Sequence, residues 1–253
     1  MIYDLQKADF WKRISAFLFD FILFGIVAVG LAWAISAITG YDTYKEGLDN
    51  CYQRYESEYG IDFNITSEEY EKLTDEQKEN YVLVSKALEN DGEAFYFYSM
   101  TVNLTLVMII ISILISNIIM EFVIPLIFGN GQTLGKKIFG IGVMRSDGVR
   151  VTTLQMFVRT VLGKCTIETL VPVLVIVMII MGATGLFGLI ILFGLALAQI
   201  ILLIVTKART PIHDIMAATV TVDIASQMIF DTPEELLEYK QKVQAEIAAR
   251  ASY

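Results

Sequence analysis

The chain has few of the residues from which disulfides and metal centres are built. Its 253 residues include two cysteines, Cys51 and Cys165, and one histidine, His213. We expect no disulfide, because the topology derived below places the two thiols on opposite sides of a membrane. One histidine does not make a metal site, so the sequence predicts no metal and no cofactor. A pH-sensing role for His213 stays open.

Basic residues are also scarce. Lysine and arginine total 19 against 28 acidic residues, which gives a net charge of −9, and no basic face of any size is present. This balance argues against nucleic-acid binding. The sequence lacks HExxH and GxSxG motifs and a paired Cys–His set, so we expect that the protein is not an enzyme. The Gly-rich loop 129–137 lacks the residue order of a phosphate-binding loop.

Long hydrophobic runs dominate the sequence. Hydrophobic residues make up 55% of the chain and the mean hydropathy is +0.57, above the roughly 45–50% apolar content of soluble domains. About 20 apolar residues cross the core of a bilayer. The runs at about 14–38, 100–128, 160–181 and 186–205 are long enough. The first is too long for a signal peptide, so we expect it to remain as a membrane anchor.

The polar segments between these runs set the expected domain organisation. In the acidic stretch after the first run, Thr66-Ser67-Glu68-Glu69 and Thr74-Asp75-Glu76-Gln77 are typical helix starts. Thr232-Pro233-Glu234-Glu235 begins a C-terminal helix that ends near Ala249. The expected divisions are an N-terminal segment with span 1 (1–40), an acidic helical insert (41–97), a membrane core (98–226) with a basic loop (129–159) and a closing segment (206–226), and a C-terminal helix (227–253).

Two short segments of the membrane core favour β-structure. Asp147-Gly148 lies between β-prone runs and is a typical hairpin turn, so we expect a hairpin over 141–152, with a plain loop as the alternative. Thr219–Ile224 is a strand that would pair with it, and 211–216 is a short helix at the membrane surface. The predicted fold is an all-α polytopic membrane protein with four transmembrane helices, a small cytoplasmic β-hairpin or sheet, and an extracytoplasmic helical insert.

Basic residues near the spans predict the orientation. Lys7, Lys12 and Arg13 precede span 1, the 129–159 loop is basic, and Lys207 and Arg209 follow span 4. Bases beside membrane spans face the cytoplasm. We therefore expect a multi-pass protein of the cell (plasma) membrane with both termini cytoplasmic and the insert outside. Lys136 and Lys137 would then contact lipid headgroups.

Charged residues inside the spans are the candidate functional site. With this topology Asp20, Glu121, Lys164 and Glu168 share the cytoplasmic third of the membrane, with Arg13, Arg159 and Asp214 on its water side. Ionisable residues in lipid turn inward and pair, so we expect one cluster. Lys164 and Glu168, at i and i+4, would pair along one helix. Four acids against three bases leave an excess acid that can carry a proton or bind a cation.

Two interpretations of this cluster stay open. Contacts among Arg13, Asp20 and Asp214 would pin span 1 to the segment after span 4, which is a structural role. Alternatively the cluster is the site of a transported ligand, with helix breaks at Pro125 and Pro172. Four spans are few for a transporter, so a homo-oligomer or a membrane-protein partner is expected. The competing function is an accessory or regulatory subunit that binds other proteins.

The arrangement resembles the RDD family of membrane proteins, which is named for one arginine and two aspartates. Arg13 precedes the first span, Asp20 lies within it, and Asp214 follows the last span. The loop 129–137 resembles the family's GxTxGK connection, and HDIMAATVTV resembles its closing segment. The resemblance covers residues 10–40 and 100–225. It implies transport of a small ligand, including cation/proton exchange, or an accessory role in a membrane complex.

Overall fold

The computed structural model describes residue 6 and residues 8–206 and 210–251. Lys7, Lys207 and Arg209, three of the bases that predicted the orientation, lie outside these residues. Helices α1 to α5 are Phe10–Thr39, Tyr41–Tyr59, Ser67–Glu71, Asp75–Glu89 and Gly92–Phe128. Helices α6 to α10 are Leu134–Ile138, Thr153–Ile180, Gly185–Val205, Ile212–Met216 and Pro233–Ala251, and strands β1 and β2 are Ile141–Arg145 and Thr219–Asp223.

Four of these helices, α1, α5, α7 and α8, are long and apolar enough to cross a membrane, which confirms the four predicted spans as helices. Helices α5 and α7 begin well before the apolar runs, at Gly92 and Thr153. Polar caps start them early, because the Asp91 carboxylate accepts the first free N–H groups of α5 and Thr152 makes a capping box on α7. The apolar outer faces of these helices suit contact with lipid acyl chains.

Residues 29–112 form one compact unit. Both helix starts predicted within it are confirmed, because Thr66 and Thr74 each make a complete capping box. A small buried core of Cys51, Leu88 and Ala94 holds the helices together, covered by aromatic side chains. The acidic insert is therefore folded around its own core.

Residues 1–28 and 113–253 form the second unit, which contains a two-stranded sheet. Strand β1 pairs antiparallel with β2, with Ile141 opposite Asp223 and Arg145 opposite Thr219. The turn at Asp147-Gly148 forms, but the second arm of the predicted hairpin is only a single bridge between Met144 and Arg150. The arm is short because the chain enters the capping box of α7 two residues later. The sheet is thus built from distant segments.

The C-terminal helix α10 packs against this sheet region. It begins at Pro233 after the Thr232 hydroxyl, which accepts from the N–H of Glu235, as the sequence predicted. Leu236 lies in a buried cluster with Val149 and Phe230. The start of the helix is therefore anchored to the segment that follows β1.

The capping boxes of the insert can be tested by substitution. We expect Thr66→Ala and Thr74→Ala each to remove about 1 kcal/mol of helix stability, because each leaves helix N–H groups without an acceptor. Hydrogen–deuterium exchange of the full-length protein should speed up in α3 or α4, next to the altered cap. Ser67→Ala is the control, since Ser67 is exposed. Unchanged exchange in both cap variants would contradict this assignment.

Candidate functional site

Two stretches of π-helix interrupt the spans where the predicted charges lie. Ile119–Val123 in α5 contains Glu121, and Val158–Leu170 in α7 contains the charges of span 3. In an α-helix Arg159 and Lys164 would point about 140° apart. The wider i→i−5 turn brings residues four and five positions apart onto one face. The π geometry therefore lets Arg159, Lys164 and Glu168 face one cluster, and no pattern in the sequence predicts the π-helical segments.

Asp20 joins α1 to the Gly-rich loop. It is 8% exposed, and its carboxylate accepts the Thr133 hydroxyl at 2.5 Å and the Gly135 N–H at 2.8 Å. Gly135 is required there, because a Cβ on it would lie 2.9 Å from the Asp20 carboxyl carbon. Both of these donors, a hydroxyl and a backbone N–H, are uncharged dipoles. The GxTxGK pattern thus supplies the groups that hold the carboxylate of span 1.

Asp214 forms a buried ion pair with Arg159. The Arg159 Nε lies 2.6 Å from Asp214 Oδ1, and the side chains are 2% and 0% exposed. The Thr219 hydroxyl donates to the same carboxylate at 2.8 Å. Burial would raise the pKa of Asp214, but Arg159, His213 and Thr219 together outweigh burial and hold that pKa well below its usual range. Asp214 therefore ties α7 to α9 and β2.

His213 lies between Glu168 and Arg159. Its Nδ1 is 2.9 Å from both carboxylate oxygens of Glu168, and its Nε2 is 3.3 Å from Arg159 Nη2. A guanidinium only donates hydrogen bonds, so Nε2 must accept and Nδ1–H must donate to Glu168. Burial lowers the pKa of His213, with Arg159 adding to the effect. The imidazole is therefore neutral in this arrangement.

Glu121 contacts two lysines that lie on different elements. Its Oε1 lies 2.7 Å from Lys164 Nζ, and its Oε2 lies 3.8 Å from Lys136 Nζ. The sequence placed Lys136 at lipid headgroups, but its side chain is only 12% exposed and turns toward Glu121. Its neighbour Lys137 is exposed, with its ammonium 4.0 Å from the centre of the Phe128 ring. The loop conformation, which sequence spacing does not reveal, separates these two lysines.

Because Lys136 belongs to the cluster, the balance of acids and bases differs from the one counted from the sequence. Acids Asp20, Glu121, Glu168 and Asp214 are matched in number by bases Arg13, Lys136, Arg159 and Lys164. The excess acid counted from the sequence is therefore absent from this set. The i,i+4 pairing of Lys164 and Glu168 is replaced by contacts to Glu121 and His213. Asp20 and Asp214 accept hydrogen bonds from Thr133, Gly135, Arg159 and strand threonines, while Arg13 lines a cavity with both aspartates.

Two adjoining cavities lie within the cluster. A cavity of about 380 Å³ is lined by side chains of α1, α5 and α7, among them Asp20, Glu121 and Glu168. A second of about 140 Å³ is lined by Arg13, Lys136 and Arg159, among others. Asp20, Glu121, Lys164 and His213 line both. The cluster thus has an acid-rich side, which we call the acidic cavity, and a base-rich side, which we call the basic cavity.

The role of Asp20 is tested by changing the carboxylate or its glycine partner. In Asp20→Asn one oxygen becomes a donor that faces another donor, so we expect a loss of about 1–3 kcal/mol. Gly135→Ala should also destabilise the protein, because its Cβ would press on the backbone carbonyl oxygen of Ala16 and on the Asp20 carboxylate. The measurement is thermal unfolding of the purified protein in detergent. Asp9→Asn is the control, since Asn keeps the capping oxygen that accepts from Trp11 N–H; native stability of Asp20→Asn would contradict the contact.

The ion pair of Arg159 and Asp214 is tested by a double-mutant cycle. Arg159→Met leaves a buried carboxylate unpaired, which costs about 3–5 kcal/mol. Asp214→Leu in the same chain should recover much of that loss, because no unpaired charge remains. Arg150→Met, which breaks an exposed pair with Asp231, should change the unfolding free energy by less than about 1 kcal/mol. Additive effects of the two buried substitutions would show that the residues do not interact.

Comparison with known proteins supports the resemblance seen in the sequence. The model of the RDD family matches residues 7–218, which include Arg13, Asp20, the Gly-rich loop and Asp214. No curated protein and no solved structure matches the chain. Because the family model covers most of the sequence, the chain belongs to the RDD family of membrane proteins.

Proposed function

We propose that this RDD protein transports a small cation in exchange for protons. One observation carries the proposal: three carboxylates and one lysine of three membrane helices line a cavity of about 380 Å³ in the cluster. Ionisable groups inside membrane spans are costly and typically mark ion pathways or proton relays. Its π-helical walls add support, since π-bulges are frequent at functional sites.

The charge balance favours exchange over simple binding. Acids and bases are equal in number, so an added cation leaves an uncompensated positive charge in a low-dielectric site. A proton taken up by the same cluster adds the same uncompensated charge. A cation and a proton would therefore compete for the cavity, which is the coupling that an exchanger needs.

The pair of Glu168 and His213 is the best candidate for the proton-exchanging group. Glu168 lines the acidic cavity, and His213 lines both cavities. A proton arriving at Nε2 would remove the acceptor of Arg159 and place two cations side by side. Asp20, by contrast, is occupied by Thr133 and Gly135, so we assign it to holding the loop.

The orientation belongs to the same proposal. Lys12, Arg13 and the basic 129–159 loop support a cytoplasmic position for both termini and for the sheet, in the plasma membrane. The acidic insert would then face outward. Four spans enclose little volume, so we propose that a homo-oligomer or a membrane-protein partner completes the path.

Flux measurements on proteoliposomes test the proposal. We expect an imposed Na⁺ or K⁺ gradient to drive proton movement, followed with a trapped pH-sensitive dye. Glu168→Gln should reduce this movement to the level of empty vesicles, because Gln can neither take up nor release a proton. Its amide oxygen can still accept from His213, so the variant should fold. Glu246→Gln on the exposed face of α10 is the matched control.

Two results would contradict the proposal. Full activity in Glu168→Gln would exclude this carboxylate as the exchanging group. Absence of flux from the unaltered protein, together with copurification of one stable membrane partner, would favour the accessory-subunit function instead.

A further inference from the structure

The basic cavity has a positive charge balance. Four bases line it, Arg13, Lys136, Arg159 and Lys164, against three acids, Asp20, Glu121 and Asp214. Glu168, the fourth acid of the cluster, lines the acidic cavity instead. The cations come from α1, α6 and α7, so distant parts of the sequence converge on one small space. Such convergence favours a ligand with negative charge.

Two buried donors of this cavity lack hydrogen bonds within the described part of the chain. They are Nη1 of Arg159 and Nζ of Lys136. Arg159 is 2% exposed, and its other nitrogens contact Asp214 and His213. Oε2 of Glu121, 3.8 Å from the Lys136 ammonium, is a buried acceptor that also lacks a hydrogen bond there. Buried polar groups of this kind normally have partners.

These three atoms define the chemistry of a matching ligand. Two cationic donors require oxygen acceptors with negative charge, as in carboxylate or phosphate groups. The Glu121 oxygen requires a donor. A phosphate group that keeps one proton offers both, whereas sulfate at neutral pH offers acceptors alone. A cavity of about 140 Å³ suits a group of this size.

The environment of Lys136 also favours a ligand with negative charge. Burial, with the nearby charges of Lys164 and Arg159 and against the opposing charge of Glu121, lowers the pKa of Lys136 to about 7. A bound anion would favour the charged ammonium, so binding should be accompanied by proton uptake. Affinity should consequently fall as the pH rises above neutrality.

We propose that the basic cavity binds a protonated phosphate group through Lys136, Arg159 and Lys164, with its P–OH donating a hydrogen bond to the Glu121 carboxylate. The group is either inorganic phosphate or the monoester headgroup of an anionic lipid such as phosphatidic acid. This site shares Glu121 and Lys164 with the acidic cavity, but it is measured by binding rather than flux, so either proposal can fail without the other.

Calorimetric titration of the full-length protein in neutral detergent tests the site with inorganic phosphate. We expect saturable binding, weaker binding of sulfate, and proton uptake revealed by buffers of different ionisation enthalpy. Lys136→Met should weaken phosphate binding at least about tenfold, and Lys136→Arg should restore part of it. Lys137→Met is the matched control and should bind as the native protein does, since Lys137 is exposed.

Nanodiscs distinguish the two sources of phosphate. If lipid supplies the group, discs with phosphatidic acid should abolish phosphate binding that is present in phosphatidylcholine discs. If free phosphate is the ligand, inorganic phosphate should bind in both kinds of nanodisc. Thermal unfolding of Lys136→Met checks that the variant is folded, and Lys136→Arg provides a second folded variant. Absence of binding to both phosphate and phosphatidic acid, or equal binding by folded Lys136→Met, would overturn the proposal.

Discussion

A charge inside an apolar helix must find a partner within the protein, because lipid offers none. This constraint explains the second unit of the RDD chain. The Asp20 carboxylate accepts hydrogen bonds from two uncharged donors, Asp214 forms an ion pair with Arg159, and Glu121 forms an ion pair with Lys164. Each link joins segments far apart in sequence. The same contacts that neutralise the charges therefore hold the spans, the Gly-rich loop and the sheet in register.

The π-helical segments make this neutralisation possible. They rotate Arg159 and Lys164 onto one face of α7, so that the first meets Asp214 and the second meets Glu121. A regular α-helix would direct one of them toward lipid. The energetic penalty of poorer helical geometry is thus offset by ion pairs that would otherwise be lost. The cavities arise at the same place, where the widened helices and the sheet meet.

Much of this arrangement follows from the sequence. Hydrophobic runs define four spans, capping patterns define the helices of the insert, and the Arg13, Asp20 and Asp214 spacing indicates the family. The partners of the buried charged residues could not be predicted from the sequence. An i,i+4 rule assumes α-helical geometry, so it paired Lys164 with Glu168. Backbone donors such as the Gly135 N–H leave no side-chain signature, and the inward turn of Lys136 depends on the loop conformation.

The central claim is that buried acids and bases are matched between helices. Exchanging the charges of Glu121 and Lys164 tests it most directly, with thermal unfolding in detergent as the measurement. Each single reversal, Glu121→Lys or Lys164→Glu, places like charges in contact and should lower the unfolding temperature markedly. The double exchange should restore part of that loss, because the pair with position 164 is remade although the new lysine at position 121 still faces Lys136. Single reversals that leave stability unchanged, or a double variant as unstable as the sum of the two, would contradict the account.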